Sequence, residues 1–386
     1  MKLFSISKLK NSGSKFIFTA SAVTSLLLCA CGNDTSTSGT QSDSLVNSEN
    51  SSSATKSLKP KGDDPAWAPG IDDEMLVVME KLQSYGDKPM ESITAQEARQ
   101  QHTPTDAVMD VMKEHGIPMP TSEVDTMGKD IPVQGGNIHV RIYTPKGNDS
   151  SYPVIVYYHG GGWVIADLNT YDASAKGLAE GVKAVVVSVH YRQGPEHKFP
   201  TAHNDAFAAY QWVLKNAASI NGNPKMIAVA GESAGGNLAC NVSIMARDKG
   251  VMIPMHQLLI YPVASNDMNS ESYQKNAAAK PLNKAMMEWF AKNYLPSMSA
   301  ASDPRIALVK ANLKGLPPTT IIAAEFDPLL SDGKLLNDKL KEANVDVDYK
   351  LYNGVTHEFY GMATVVPDAK DAQAYAAGRI KSAFKK

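Results

Sequence analysis

Four groups of residues in this chain supply the parts of an acyl-transfer reaction. That reaction needs a nucleophile, a base to take its proton, an acid to orient the base, and N–H donors for the oxyanion that forms. Ser233 stands in Gly231-Glu232-Ser233-Ala234-Gly235-Gly236, and Asp327 closes Glu325-Phe326-Asp327. His357 lies in Thr356-His357-Glu358-Phe359, and the run His159-Gly160-Gly161-Gly162-Trp163 is rich in glycine. Nucleophile, acid and histidine follow one another along the chain in that order.

The flanking residues say which elements must hold these groups. Lys225 to Ala230 is a short apolar run bounded by Asn223-Pro224 and Gly231, which predicts a buried strand. Ala234 to Asp248 has the alanine-rich, apolar pattern of a helix. Ser233 therefore sits at a strand-to-helix turn, where small residues allow a tight bend and the helix start aims amides that favour negative charge. A glycine-rich turn with an incidental serine is the bland alternative, and the strand and helix on either side weigh against it.

The glycine run follows Tyr152 to Tyr158, another β-rich stretch. Three successive glycines are costly in backbone entropy, and presenting bare N–H groups to an oxyanion justifies them. A phosphate loop would want a Lys-Ser/Thr pair next, but Trp163-Val164-Ile165 follows. Thr319 to Ala324 predicts a strand, so Asp327 lies on the rim where open α/β sheets bind ligands. Its rivals are Glu325, two positions earlier and deeper on the same face, Asp303 and Asp332. His357 is set apart from the other eight histidines by its place in a polar loop after the alternating run Val345 to Leu351. His159, His197 and His203 read as structural hydrogen-bond partners.

The chain has 386 residues, enough for one large domain with additions. Alternating strand and helix patterns after residue 130 predict a mostly parallel sheet with helices on both faces, an α/β fold. Ile131-Pro132-Val133 and Ile138 to Thr144 flank Gly135-Gly136-Asn137, a hairpin signal, so the sheet should begin antiparallel. A net charge of −2 gives no basic footprint for nucleic acid.

On these motifs the chain resembles the hormone-sensitive lipase family of α/β-hydrolases, in its bacterial carboxylesterase branch. The stretch Tyr191-Arg192-Gln193-Gly194-Pro195-Glu196-His197-Lys198-Phe199-Pro200, the Asp327-Pro328-Leu329 run and His357-Glu358-Phe359 also resemble that family. The resemblance covers about Ile131 to the C-terminus. It implies an α/β-hydrolase fold with a helical cap, and hydrolysis of a small carboxylic ester without metal or cofactor. It implies Ser233 as nucleophile, His357 as base and then acid, and Asp327 as the orienting acid. It implies oxyanion donors from Gly161, Gly162 and the Ala234 amide, with Gly160 shaping the loop beside His159. The chain departs from the family at Glu232, at Gln193-Gly194 and at Leu330-Ser331, which bears on substrate preference. A peptidase or amidase of the same fold would use the same residues, and a non-catalytic surface lipoprotein is the other alternative.

The N-terminus reads separately. Lys2, Lys8, Lys10 and Lys15 border a short apolar run, Phe16 to Leu28, that ends Leu28-Cys29-Ala30-Cys31-Gly32. This resembles a bacterial lipoprotein signal cleaved before an acylated Cys31, with Gly32 fitting outer-membrane sorting; an ordinary secretory signal is the rival. The expected division is a signal at 1–30, a polar tether at 31–63, an N-terminal cap segment at 64–128 and a catalytic domain at 129–386 with a second cap insert at 268–300. Helices are expected at Asp72 to Tyr85, Thr94 to Gln101, Pro104 to His115 and through Ser270 to Leu295. Met75, Met79, Met286, Met287, Trp289 and Phe290 are candidates for an acyl pocket or for plain packing. Only Cys240 remains for the folded part, as a small buried hydrophobe. The expected partners are an ester and a membrane reached through the lipid anchor, with the oligomeric state open.

Overall fold

Apolar runs and breakers along this sequence build a layered sheet, described here by a computed structural model for residues 58–385 except Asn148. The expected signal at 1–30, Cys31 and the expected tether up to residue 57 lie outside the described residues. In chain order the elements are α1 (Asp73–Ser84), α2 (Ala95–Ala98), α3 (Pro104–His115), β1 (Val124–Val133), β2 (Gly136–Pro145) and β3 (Tyr152–Tyr158). Then come α4 (Asp172–Val182), β4 (Val185–His190), α5 (Thr201–Asn216), β5 (Gly222–Glu232), α6 (Ala234–Asp248) and β6 (Gln257–Ile260). The chain closes with α7 (Glu271–Lys275), α8 (Lys284–Tyr294), β7 (Thr319–Phe326), α9 (Leu330–Glu342), β8 (Val347–Thr356) and α10 (Pro367–Phe384).

The eight strands form one sheet in the order β1-β2-β4-β3-β5-β6-β7-β8. The hairpin β1–β2 and the β2–β4 pair are antiparallel, and every later pair is parallel. Strand β3 shows how the residues set the layers. Val154, Val156 and Tyr158 face one core and Ile155 and Tyr157 face the other, all fully buried. Burial on both faces is why this strand reads as a continuous apolar run. Each such side chain removed from water contributes about 1.5–3 kcal/mol. Helices α5, α6 and α9 pack on the first face, and α1, α3, α4 and α10 on the second.

Several expected boundaries move. Residues 58–63, assigned to the tether, are held against the domain: Leu58 is buried, and the Lys61 and Gly62 amides donate to the Glu80 carboxylate. Strand β1 starts at Val124, inside the segment assigned to the cap, because its exposed residues carry no apolar pattern. Helices α1 and α3 pack on the α4/α10 layer, and residues of both also line the cavity over the site. The helix expected over Thr94 to Gln101 stops at Ala98. Thr94 opens it with a capping box, but Thr103-Pro104 downstream starts the next helix and biases the chain before it toward extended backbone. The insert expected as one helical stretch is two helices: α7 ends at Lys275, Pro281 lies in the connection, where a helix could not continue through it, and Asn283 caps α8.

Candidate active site

The turn between β5 and α6 forces Ser233 into a rare backbone state, φ 56° and ψ −118°. For a residue with a Cβ such a state costs about 1–3 kcal/mol, so the surroundings must hold it. They do: the Ser233 amide donates to Ile260 O at 2.9 Å, and its carbonyl accepts from Asn237 at 3.1 Å and Val263 at 3.2 Å. A side chain at Gly235 would collide with the Tyr158 carbonyl, so α6 starts against β3 only because that position is bare.

Strands β7 and β8 bring the other two groups to this turn. His357 Nε2 lies 3.0 Å from Ser233 Oγ, and its Nδ1 lies 2.7 Å from Asp327 Oδ2. All three side chains are buried. Asp327 is itself fixed: its Oδ1 accepts from the Leu329 amide at 2.8 Å, and its carbonyl accepts from Asn276 at 2.9 Å. With Nδ1–H donated to the carboxylate, Nε2 is left as the acceptor that faces the serine hydroxyl. Burial pushes the imidazole toward its neutral form, but the Asp327 carboxylate, with Glu358 and Glu232, outweighs that and raises its pKa above 6.5.

The rival acids have other tasks. Glu325 accepts from the Gly354 amide at 3.0 Å. Asp303 holds Arg305 in a fork, at 3.0 and 2.8 Å. Asp332 accepts from the Ala264 and Ser265 amides, and burial raises its pKa to about 7.

The glycine run lies beside the serine. Gly161 and Gly162 have φ of +89° and +60°, and a Cβ at Gly162 would strike the Phe290 ring. These positive φ values, which glycine adopts at no steric cost, let the loop turn sharply beside the serine. Ala234 is the first residue of α6, so its N–H has no carbonyl behind it in the helix. Tyr191 braces the loop by donating to His159 O at 2.9 Å and Gly160 O at 3.1 Å. His159 stacks on Tyr191, and burial lowers its pKa to about 3, so it stays neutral. His203 is likewise buried, between Tyr294 and Asn237. His197 differs from expectation: its side chain is exposed and builds no interior contact, because its stretch turns outward over residues 195–197.

Glu232, beneath the serine, is fully buried. The Tyr157 and Tyr261 hydroxyls donate to its two oxygens, each at 2.5 Å. Burial raises its pKa to about 7, while those hydroxyls hold it down. Tyr261 also packs on the His357 ring, with centroids 4.4 Å apart. Neither Tyr157 nor Tyr261 is singled out by the sequence, since a tyrosine at a strand end carries no local signal. Glu358 and Tyr171, whose hydroxyl donates to Glu358 at 2.6 Å, were not singled out either, because the two meet only in the folded chain, 187 residues apart.

Above these groups opens a cavity of about 1100 Å³. Ser233, His357, Gly161 and Gly162 line it, together with residues from 79–106 and from 263–306. Met79, Met286, Met287 and Phe290 contribute to its wall. Met75 and Trp289 do not: Met75 is core against Thr356, and the Trp289 indole donates to Ile93 O.

Comparisons with known proteins agree on kinship. A family model described as the alpha/beta hydrolase fold matches residues 155–361. The chain is 39% identical over 252 residues to the carboxylesterase NlhH of Mycobacterium tuberculosis, covering 64% of this chain and 79% of that one. It is 30% identical over 287 residues to the ethyl acetate hydrolase of Pseudomonas putida, covering 73% and 88%. Among solved structures it is similar to a thermostable esterase from Pseudomonas putida, with TM-score 0.75, 32% identity and coverage of 82% and 98%. An esterase of Pyrobaculum calidifontis gives TM-score 0.71, 34% identity and coverage of 79% and 97%.

Proposed function

This chain belongs to the α/β-hydrolase family, and on that premise we propose that its Ser233 opens carboxylic esters through an acyl-enzyme. The protein is a carboxylic ester hydrolase, as its relatives are named. The single observation that carries the assignment of residues is the unbroken chain Ser233 Oγ, His357, Asp327 at the floor of the cavity. His357 Nε2 takes the serine proton as Oγ attacks the ester carbonyl. The amides of Gly161, Gly162 and Ala234 receive the oxyanion. The imidazolium, steadied by Asp327, gives its proton to the departing alcohol, and water then repeats the cycle on the acyl-enzyme. Glu232 supports the site from below by holding Tyr157 and Tyr261 in place.

We assign short- to medium-chain acyl groups to the cavity wall formed by the methionines and Phe290, whose flexible apolar side chains suit alkyl chains. A panel of 4-nitrophenyl esters from acetate to palmitate tests this, with the matched anilides beside them. Turnover should peak among the shorter chains, fall at palmitate and be far lower for every anilide. Preference for palmitate would overturn the chain-length assignment, and preference for anilides would favour the amidase alternative.

We further propose that Cys31, outside the described residues, carries a lipid that holds the enzyme to the bacterial envelope, at the outer membrane. The support is the sequence Leu28-Cys29-Ala30-Cys31 and the polar stretch after it. Acyl chains contribute about 0.8 kcal/mol per buried methylene, so their loss leaves no comparable attachment. Cys31→Ser is expected to move the enzyme from the membrane to the soluble fraction with its kcat/KM unchanged. A variant that still pellets with membranes, or a parent N-terminal peptide lacking acyl mass, contradicts the proposal.

A further inference from the structure

We propose that Glu358 determines specificity for the alcohol half of the ester, favouring alcohols that carry a cationic group or a hydroxyl donor. The proposal rests on the ester-hydrolase reading of Ser233 and His357. Glu358 follows His357 directly, with φ +72°, a left-handed state that is uncommon for a residue with a side chain. Its side chain lines the cavity together with Ser233 and His357 and keeps 19% of its surface exposed. Its Oε1 lies 3.8 Å from His357 Nε2 and accepts from the Tyr171 hydroxyl at 2.6 Å.

The place of that oxygen gives it a task. In the reaction, Nε2 hands its proton to the departing alcohol, so the alkoxy oxygen must come within about 3 Å of this nitrogen. A carboxylate oxygen 3.8 Å from the same nitrogen therefore borders the first atoms of the alcohol. Tyr171 fixes the carboxylate there: burial raises its hydroxyl well above the ordinary tyrosine value, so it remains a donor. A carboxylate has room for about four hydrogen bonds, and the hydroxyl uses one.

Burial raises the Glu358 carboxyl above its ordinary range while His357 lowers it, and apart from the His357 imidazolium of the reaction itself, neighbouring charges do not cancel this one. Arg99 also lines the cavity, but its guanidinium is committed to Glu196 and to the Val164 and Gly194 carbonyls. His190 is pushed toward neutrality by burial. Lys88 and Lys280 are exposed, where water and salt screen them. Asp167 adds a second acid to the cavity, and its carboxylate accepts from the Asn169 and Thr170 amides. The wall around the alcohol is thus net acidic. A single charge pair at about 5 Å in such a half-wet setting is expected to favour the cation by about tenfold.

Acetylcholine and 3,3-dimethylbutyl acetate test this, because the two esters match in shape and differ in charge. The reading is the ratio of their kcat/KM values, so that the neutral ester serves as each variant's own reference. The parent should prefer the cationic ester by about tenfold, and Glu358→Gln should bring the ratio near one. Tyr171→Phe keeps the charge but removes the bond that aims it, and should lower the ratio by a smaller factor. A residue that merely shaped the turn would scale both rates together and leave the ratio alone. A parent ratio of one or less, or a ratio unmoved in Glu358→Gln, overturns the proposal. A parent that hydrolyses neither these nor aryl esters would overturn the ester-hydrolase reading instead, and this proposal with it.

Discussion

Ser233→Ala is expected to lower kcat/KM for an aryl acetate by about 10⁴-fold or more. Without the hydroxyl no acyl-enzyme forms, and His357 has no proton to take. What remains is positioning and the oxyanion donors, which alone give about 10³–10⁴-fold acceleration over water. The fold should stay intact. The bonds that hold the elbow run through the Ser233 backbone, to Ile260, Asn237 and Val263, and alanine keeps them all. The left-handed strain is the same for alanine as for serine, so the midpoint of thermal unfolding should move little. A folded variant within tenfold of the parent would remove Ser233 from the nucleophile's role.

Asp327→Asn is expected to lower turnover by roughly 10⁴-fold. The carboxylate accepts Nδ1–H and so leaves Nε2 free to receive the serine proton. An asparagine that turns its amide toward Nδ1 makes that nitrogen an acceptor and places the ring proton on Nε2, facing the serine. Glu325→Gln should do far less, because Glu325 serves the Gly354 amide and does not touch the histidine. The pH profile supplies a second reading. In the proposed mechanism catalysis needs neutral His357, so activity should rise with pH through its pKa, which in the parent lies above 6.5. Loss of the Asp327 charge lowers that pKa, and the acid limb of kcat/KM should move to lower pH even as the plateau falls. If Glu325→Gln shows the larger loss, the two acids exchange roles.

The parts of the fold buried on both sides were plain in the sequence. Tyr152–Tyr158 forms β3 over the very residues of the apolar run, and Ala234–Asp248 forms α6. The strand-to-helix turn at Ser233 followed from those two elements. Exposed strands were less legible. Asp125 to Asp130 in β1 are open to water and carry no apolar period, so the hairpin is longer than its hydrophobic residues suggest. Strand β8 continues past Leu351 through Asn353-Gly354, a pair that reads as a loop. The register against β7 shifts there, and this bulge absorbs the glycine and delivers Thr356 and His357 into the interior. What sequence could not supply was convergence. The two tyrosines on Glu232 come from different strand ends, and Tyr171 reaches Glu358 from far along the chain. Such meetings depend on sheet order, which no local pattern encodes.

The most direct test of the central claim is covalent. The full-length protein is treated with a fluorophosphonate, digested, and its peptides are weighed. A single adduct on the peptide holding Ser233 is expected, with loss of esterase activity in step with its formation. An adduct on another residue, or full labelling resistance in a protein that hydrolyses esters, would contradict the account.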